Sequence, residues 1–373
     1  MRLLRVQTQG FPAFSDLDFQ FITKDRVYKD DDSVYPLGDY LYLNKVTTLT
    51  GYNASGKSTL IELMHLVCDV VNNHQVEKHH YQKALNSFKE GMLTIYMLSN
   101  HHECLKLISH LRASEKGLIF TDEKLYKKTI HKNTSKAQLF HFSEEDFYLA
   151  RDEQFYCQDA SMMIAYNQEH HESLSFMIDQ NLDTLQAFDQ YPDELLHFLD
   201  DHLDYLHVEH LPKDVQAYTL KLKDQLPYTY GNLEDVSRNL SRGTIKAINL
   251  FMQAKKLFEK GGIMIVDDLG NHLNSTIALT LLNFFKDPEI NKAGVALLFT
   301  THDHELMDAC ERYDAFWIVR KKKSIDISCL TDETKEKAPI STLIESGYLG
   351  GTSPQYEKRF ALMKYFMNEN MGL

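Results

Sequence analysis

Residues Lys45 to Thr59 read KVTTLTGYNASGKST, and this stretch decides the fold. Its first part is an apolar and β-branched run that predicts a strand, and Gly51 to Ser58 satisfies the pattern GxxxxGK[ST] in full. Beyond it, Leu60, Met64 and Val67 fall at helical spacing, so a helix is expected to begin at the lysine-serine step. Strand, glycine-rich loop and helix form the context that the motif requires, so the sequence predicts a phosphate-binding loop.

The chemistry of such a loop follows from its backbone. Glycines let the chain curl so that successive N–H groups face a phosphate, and the helix N-terminus adds its positive end. Lys57 is expected to reach the β- and γ-phosphates, and the Ser58 hydroxyl is expected to bind Mg²⁺. The residues of this loop predicted to hold a nucleotide are Gly51, Asn53, Ala54, Ser55, Gly56, Lys57, Ser58 and Thr59.

Two acidic residues end a second apolar run, IVDDLGNHLN, from Ile265 to Asn274. At a strand end, Asp267 is placed to hold Mg²⁺ through water, and Asp268 is placed to polarise an attacking water. Another run, LLFTTHDHEL, puts His302 just past an apolar strand, where an imidazole could touch a γ-phosphate. A lone histidine in such a position is more often structural.

The segment NLSRGT, Asn239 to Thr244, sets a serine and a glycine at the start of a predicted helix that stops at Gly261 and Gly262. A helix N-terminus of this kind can bind an anion, although an ordinary helix cap is the better explanation of the motif when it is taken alone.

The 373 residues, 43% of them hydrophobic, allow two units or one domain with a large insertion. Five cysteines without CxxC spacing indicate a reducing compartment.

A cytoplasmic protein without a membrane partner is expected, because the sequence shows neither a secretory leader nor an apolar window of about 18 residues. The net charge of −13 opposes general adhesion to DNA, so DNA stays an alternative that rests on the basic clusters Arg320–Lys323 and Lys124–Lys136.

Composition divides the chain into three predicted parts: 1–142, 143–225 and 226–373. In the first, Met92 to Ile130 reads as an antiparallel set of strands. Glu144 to Asp204 then holds sixteen acidic residues against one basic residue, Arg151. The acidic surface of this segment is either simply solvated, or a docking surface for a basic partner, or a lid over the nucleotide site. An amphipathic helix is predicted there from apolar residues at helical intervals: Leu174, Met177, Ile178, Leu182, Leu185 and Phe188.

Taken in order, these motifs resemble the ABC-class ATPases, particularly the compact SMC/RecF-like group. The chain looks most like standalone bacterial AAA/ABC ATPases of phage-defence systems, the abortive-infection and PARIS-like ATPases. Further matching runs are Gly270–Asn274, Gly117–Tyr126, Phe284–Gly294 and Gly350–Glu357. The resemblance implies an α/β P-loop NTPase fold of ABC-ATPase type, with an antiparallel β subdomain and an inserted acidic helical subdomain.

The resemblance also implies ATP and Mg²⁺ as ligands and a head-to-head homodimer, or a larger oligomer, that sandwiches two ATP molecules. Ser241 and Gly243 of one subunit would then complete the γ-phosphate shell of the other, and Arg242 would compensate charge there or form a surface salt bridge. The implied catalytic residues are Lys57, Asp268 and His302, and the implied metal ligands are Ser58 and Asp267. Candidates for the family's loop glutamine are Gln138, Gln154 and Gln158.

Asp268 departs from the group, which usually carries Asp-Glu at this place. The missing methylene retracts the carboxylate by about 1.5 Å, and misplacement of that order can cost roughly 10²-fold in rate. A slow ATPase that controls a partner effector in anti-phage defence is therefore expected. The alternatives are a DNA-repair ATPase of RecF type and a scaffold or sensor that binds the nucleotide without hydrolysis.

Toxic activity is expected in a separate nuclease or toxin, because the stretch after His302 is too short for an appended nuclease domain. No assembled metal-ligand cluster is expected elsewhere. The nearest runs, His101–Glu103 and Glu169–Glu172, read as polar faces.

Overall fold

The computed structural model describes residues 1–115, 117–152, 157–179, 184–212, 215–347, 349–350 and 356–369. Its strands, in chain order, are β1 (Arg2–Gln9), β2 (Asp18–Gln20), β3 (Val34–Pro36), β4 (Tyr42–Asn44), β5 (Val46–Thr50), β6 (Glu90–Leu98), β7 (Glu103–Ala113), β8 (Leu118–Thr129), β9 (Phe147–Ala150), β10 (Phe176–Ile178), β11 (Leu203–Leu211), β12 (Val215–Leu222), β13 (Tyr228–Tyr230), β14 (Ile263–Val266), β15 (Ala296–Thr300), β16 (Phe316–Lys321) and β17 (Ile325–Cys329). Its α-helices are α1 (Lys57–Asn72), α2 (Lys136–Phe140), α3 (Met163–His170), α4 (Asp193–Leu199), α5 (Leu233–Ser237), α6 (Arg242–Lys260), α7 (Ser275–Lys286), α8 (His304–Asp308), α9 (Leu330–Glu333), α10 (Ile340–Glu345) and α11 (Tyr356–Glu369), with short 3₁₀ turns at Lys78–Tyr81, Glu144–Asp146 and Tyr313–Ala315.

A mostly parallel sheet forms the centre of the fold, in the order β10-β14-β15-β5-β16-β17. Only the last pair of this order, β16 with β17, is antiparallel. Every residue of β5, β14 and β15 is buried, as expected for parallel strands covered on both faces. Because parallel strands end at the same edge, the segments that follow β14, β15 and β5 are brought together there.

Alternate residues of β14 show how the layers are built. Ile263 and Ile265 belong to a core shared with α1 and the antiparallel sheet β2-β1-β6-β7-β8-β9. Met264 and Val266 point to the other side and pack with α6 and α7. This period of two is that of a strand buried on both faces. The antiparallel sheet confirms the strands predicted between Met92 and Ile130.

The helix predicted across Leu174 to Phe188 is wrong. Phe176–Ile178 forms the strand β10, which pairs in parallel with Ile263–Ile265 of β14. The apolar residues of this stretch serve different cores: Leu174 lies in the core shared with α1, whereas Leu185 and Phe188 pack with α6 and the small sheet β11-β12-β13. Their helical spacing therefore arises from residues that pack in different cores, and Leu182 lies outside the described residues.

Some residues of the charged segments form ion pairs or hydrogen bonds within the fold. Arg151, the one basic residue of the acidic segment, forms a buried ion pair with Glu123 of β8 at 2.8 Å. The cluster Arg320–Lys323 covers the end of β16 and the turn to β17, and Arg320 bonds to Glu333 at 2.9 Å. In the second cluster, Lys128 donates to the backbone carbonyl of Gln138 at 2.6 Å. Among the described helices, none is both long enough and apolar enough to cross a membrane.

Candidate nucleotide-binding site

The phosphate loop is folded tightly against the hairpin of β16 and β17. A Cβ atom at Gly51 would lie 2.2 Å from the carbonyl oxygen of Val319, and one at Gly56 would lie 2.4 Å from Cδ1 of Ile325. Gly56 also has a φ of 107°, which a residue with a side chain rarely adopts. Both glycines of the motif are therefore required by the backbone path.

Lys57, the first residue of α1, turns back over the loop. Its Nζ donates to the carbonyl oxygen of Gly51 at 2.9 Å and to that of Tyr52 at 3.4 Å. Burial lowers the pKa of Lys57, and the nearby charges of Asp267 and Asp268 oppose this shift. The lysine thus lies within electrostatic reach of both aspartates, as the sequence predicted for a shared site.

Thr300, at the end of β15, holds the two aspartates that follow β14. Its hydroxyl donates to Oδ1 of Asp267 at 2.7 Å and accepts from the backbone N–H of Asp268 at 2.7 Å. The backbone carbonyl of Thr300 accepts from the N–H of Leu269 at 2.9 Å. One buried threonine on the neighbouring strand therefore orients the side chain of one acid and the backbone of the other.

Asp268 adopts a left-handed backbone conformation with a φ of 55°. Aspartate tolerates this region better than most residues, because its short polar side chain can bond locally. The carbonyl of Asp268 accepts from the N–H of Asn271 and from Nζ of Lys246 on α6, each at 3.0 Å. Lys246 Nζ also lies 3.6 Å from Oδ2 of Asp179, just after β10. The backbone at this acid is thus fixed by α6, β10 and β15 together.

His302 follows β15 at the same edge. Partial burial lowers the pKa of its imidazole, and so does the positive charge of Lys57, whereas Asp268 and Asp267 act to raise it. His302 therefore lies close enough to Lys57, Asp267 and Asp268 for their charges to shift its pKa. Its neutral form is favoured at neutral pH. A neutral imidazole keeps one nitrogen as an acceptor and one as a donor.

Ser241 and Gly243 stand at the start of α6, as predicted. The Ser241 hydroxyl accepts from the N–H of Thr244 at 3.0 Å, so the serine caps the helix. A Cβ atom at Gly243 would lie 2.4 Å from the carbonyl oxygen of His272, in the segment after Asp268. Within the described part of the chain, no hydrogen bond joins Ser241 or Gly243 to the phosphate loop. The structure therefore brings together Lys57, Asp267, Asp268 and His302 but leaves Ser241 exposed to solvent.

The glutamines named from the sequence lie elsewhere. Gln138 belongs to the capping box of α2, the backbone carbonyl of Gln158 accepts from Phe120 of β8, and Gln154 lies outside the described residues. Three residues that the sequence did not single out, Thr300, Lys246 and Asp179, contact the acidic strand end instead. Their roles depend on strand register and helix packing, for which the local sequence carries no signal.

The two histidine-containing runs, His101–Glu103 and Glu169–Glu172, contribute acidic residues to hydrogen bonds within the fold. Glu172 accepts from the N-terminal ammonium of Met1 and from both nitrogens of Asn100, and Glu103 accepts from the Tyr166 hydroxyl. One grouping was not expected from the sequence: Glu77 and two histidines after it, His79 and His80, hold their ligand atoms within 4.8 Å of one another.

The residues at the sheet edge fit a magnesium-bound nucleoside triphosphate. The Ser55 hydroxyl is buried without a hydrogen-bond partner among the described residues, and Lys57 is held at the loop. Asp267 offers the carboxylate oxygen that Mg²⁺ prefers. The loop backbone and Lys57 would hold the phosphates, and Ser58 and Asp267 would hold the ion.

Comparison with known proteins agrees with this architecture. The sequence model of the family described as "AAA domain, putative AbiEii toxin, Type IV TA system" matches residues 121–308, just over half of the chain. This range contains Ser241, Asp267, Asp268 and His302, and the phosphate loop precedes it. No curated protein matches the chain by sequence.

Two solved structures match the chain at low similarity. One is cbiO1 from Clostridium perfringens, part of the ABC transporter complex cbiONQ, with 11% identity, coverage of 97% of this chain and 99% of that chain, and a TM-score of 0.33. The other is the recombination mediator protein RecF of the RecFOR pathway, with 9% identity, coverage of 87% and 97%, and a TM-score of 0.41. On the match of its sequence to the family model, the chain belongs to the family of AbiEii-like AAA domains, which are P-loop ATPase domains.

Proposed function

We propose that the chain binds and slowly hydrolyses ATP, and that the nucleotide controls a homodimer that acts on a separate effector protein, as in anti-phage defence. The observation that carries the proposal is the meeting of Lys57, Asp267, Asp268 and His302 at one edge of the central sheet. These four side chains come from three different strand ends, and their assembly supplies the groups that phosphoryl transfer requires.

The side chains divide the work by their chemistry. Lys57 neutralises phosphate charge, and the loop N–H groups orient the phosphates. Asp268 accepts a hydrogen bond from the attacking water, and neutral His302 donates one toward the γ-phosphate. Bound Mg²⁺ would withdraw negative charge from the phosphate oxygens. Asp268 is shorter than glutamate and its backbone is left-handed, so we expect slow turnover.

The dimer is supported by the position of Ser241. This residue caps α6 yet is exposed, and the described hydrogen bonds do not tie it to the phosphate loop of its own chain. In a head-to-head pair, Ser241 and Gly243 of one subunit would meet the γ-phosphate of the other. The acidic segment would then be the docking site for an effector with a basic surface. Its one basic residue, Arg151, is buried in an ion pair with Glu123 and would not repel such a partner.

Two measurements test the proposal. Phosphate release should be measurable for the wild type, should fall to background for Lys57→Ala, and should fall strongly for Asp268→Ala. Equal and negligible release from all three proteins would reject hydrolysis and favour a nucleotide-binding scaffold, and stimulation by DNA would favour a repair ATPase.

Light scattering tests the dimer separately. Asp268→Asn should accumulate as a dimer with ATP, because the nucleotide binds but is not hydrolysed. Adding Ser241→Arg to this variant should return it to monomers, because the bulky side chain would lie in the proposed dimer interface. A protein that stays monomeric as Asp268→Asn with saturating ATP would count against the sandwich.

A further inference from the structure

A second group of metal-ligating side chains lies beyond the C-terminal end of α1, away from the phosphate loop at the N-terminus of this helix. Glu77, His79 and His80 hold their ligand atoms within 4.8 Å of one another. Nδ1 of His79 lies 3.2 Å from Oε2 of Glu77, and the ring centroids of His79 and His80 are 4.0 Å apart. His79 and His80 lie in one 3₁₀ turn, Glu77 is the residue just before it, and all three are at least partly accessible to solvent.

The turn is held in place from both ends. At its start, Glu77 forms an isolated antiparallel bridge with Gly117. At its end, Tyr81 is fully buried and its hydroxyl donates to the carboxylate of Asp69 on α1. Within the turn, the N–H of His80 donates to the carbonyl of Glu77 at 3.0 Å. The backbone that carries the three ligands is therefore fixed before any ion binds.

The carboxylate of Asp69 on α1 contacts several side chains beside the turn. Besides Tyr81, its carboxylate meets Nδ1 of His74 at 2.8 Å and Nε2 of His65 at 3.2 Å. Asp69 is only 6% exposed, and its two oxygens are occupied by these neighbours. Asp69 therefore orients the turn and is not itself counted among the ligands.

We propose that Glu77, His79 and His80 bind a zinc ion. Two imidazoles and one carboxylate are the ligand types that Zn²⁺ takes, and three protein ligands leave one position for water or an outside ligand. Bonds of about 2.0 to 2.2 Å in tetrahedral geometry place donor atoms about 3.4 Å apart. Small rotations of the exposed side chains bring the three donors to that spacing. Mg²⁺ is disfavoured, because it prefers oxygen ligands.

The affinity of the untagged, nucleotide-free full chain for Zn²⁺ can be measured by competition with a chromogenic chelator. We expect one high-affinity ion per chain. His79→Ala and His80→Ala should each weaken binding by more than the roughly 10- to 100-fold that loss of an orienting outer group causes. Glu77→Gln should weaken it in the same direction. Since the two histidines are exposed, their removal should leave the fold intact, which circular dichroism verifies.

Two controls separate this site from other histidines and from the nucleotide site. His202 is an exposed histidine 3.5 Å from Asp200, so His202→Ala removes a comparable surface pair and should leave the affinity unchanged. Asp267→Asn removes the predicted magnesium ligand and should also leave it unchanged. X-ray absorption of the loaded protein should show two imidazoles bound to zinc.

Some results would overturn the proposal. One is an unaltered affinity in the His79→Ala, His80→Ala double variant, and another is weak binding of several ions without saturation. A loss of binding in Asp267→Asn alone would assign the ion to the nucleotide site instead.

Discussion

Thr300 joins the two aspartates that follow β14, and Thr300→Val should break both connections without changing the size of the side chain. The hydroxyl donates to Asp267 and accepts from the backbone N–H of Asp268. Thr300 is 1% exposed, so water has little access to replace the lost group. The substitution therefore leaves the N–H of Asp268 without its acceptor and removes one donor from the carboxylate of Asp267.

The magnitude follows from these two losses. A buried N–H left without an acceptor costs about 1 to 3 kcal/mol, and a hydrogen bond to a charged group contributes about 1.5 to 3 kcal/mol. Asp267 is only half-buried, so water offsets part of the second loss. We expect the free energy of unfolding to fall by about 2 to 4 kcal/mol in total. The free energy of unfolding of folded domains is about 5 to 15 kcal/mol, so the variant should still fold.

Thr300→Ser is the matched control, because it keeps the hydroxyl and loses one methyl group worth about 1 kcal/mol. Urea unfolding measures the stability of both variants, and phosphate release measures turnover. A shift of Asp268 by about 1 Å costs roughly 10²-fold in rate, so Thr300→Val should be nearly inactive while Thr300→Ser keeps its activity. Equal stability and equal turnover of the two variants would refute the role of the hydroxyl.

Three further predictions concern the same edge of the sheet. Asp268→Glu should raise phosphate release, because the carboxylate regains the missing methylene, and should lower the free energy of unfolding by about 1 kcal/mol, because glutamate tolerates a positive φ less well. Lys246→Met should lower the free energy of unfolding by about 1 to 3 kcal/mol and reduce turnover, whereas Lys255→Met, on an exposed position of α6, should change stability by less than about 0.5 kcal/mol. Because the pKa of folded His302 lies below the ordinary value of 6.5, the unfolded chain takes up the proton first, and stability is lost as the pH falls below 6.5. Urea unfolding at pH 7.5 and pH 5.5 should show a smaller loss for His302→Gln than for the wild type.

The sequence predicted the phosphate loop and its flanking elements well, because each signal is local. Gly51 and Gly56 stand where the backbone leaves no room for a Cβ, and the helix begins at Lys57 as expected. The strand that ends at Val266 and the cap at Ser241 were likewise found in the predicted places. Such features depend on a few consecutive residues, so they can be recognised without knowledge of the tertiary structure.

Other features could not be predicted, because they depend on distant partners. The strand β10 has three residues and exists through its pairing with β14, about ninety residues further along the chain. Thr300 acquires its role from the register of β15 against β14. The grouping of Glu77, His79 and His80 depends on the 3₁₀ turn that Tyr81 anchors. Periodicity and motif spacing carry no information of this kind.

The attachment of β10 has a consequence for how a signal could travel through the molecule. This strand is the edge of the central sheet, it belongs to the acidic segment, and it is joined to β14 by three residue pairs. Short edge pairings of this size open at much lower cost than a whole domain. A partner that binds the acidic segment would have to separate these three pairs, and the hydrogen bonds that hold Leu174 and Ser175, to draw Asp179 away from Lys246. This movement would loosen the backbone of Asp268, so binding at the surface would reach the proposed catalytic edge of the sheet through a strand of three residues.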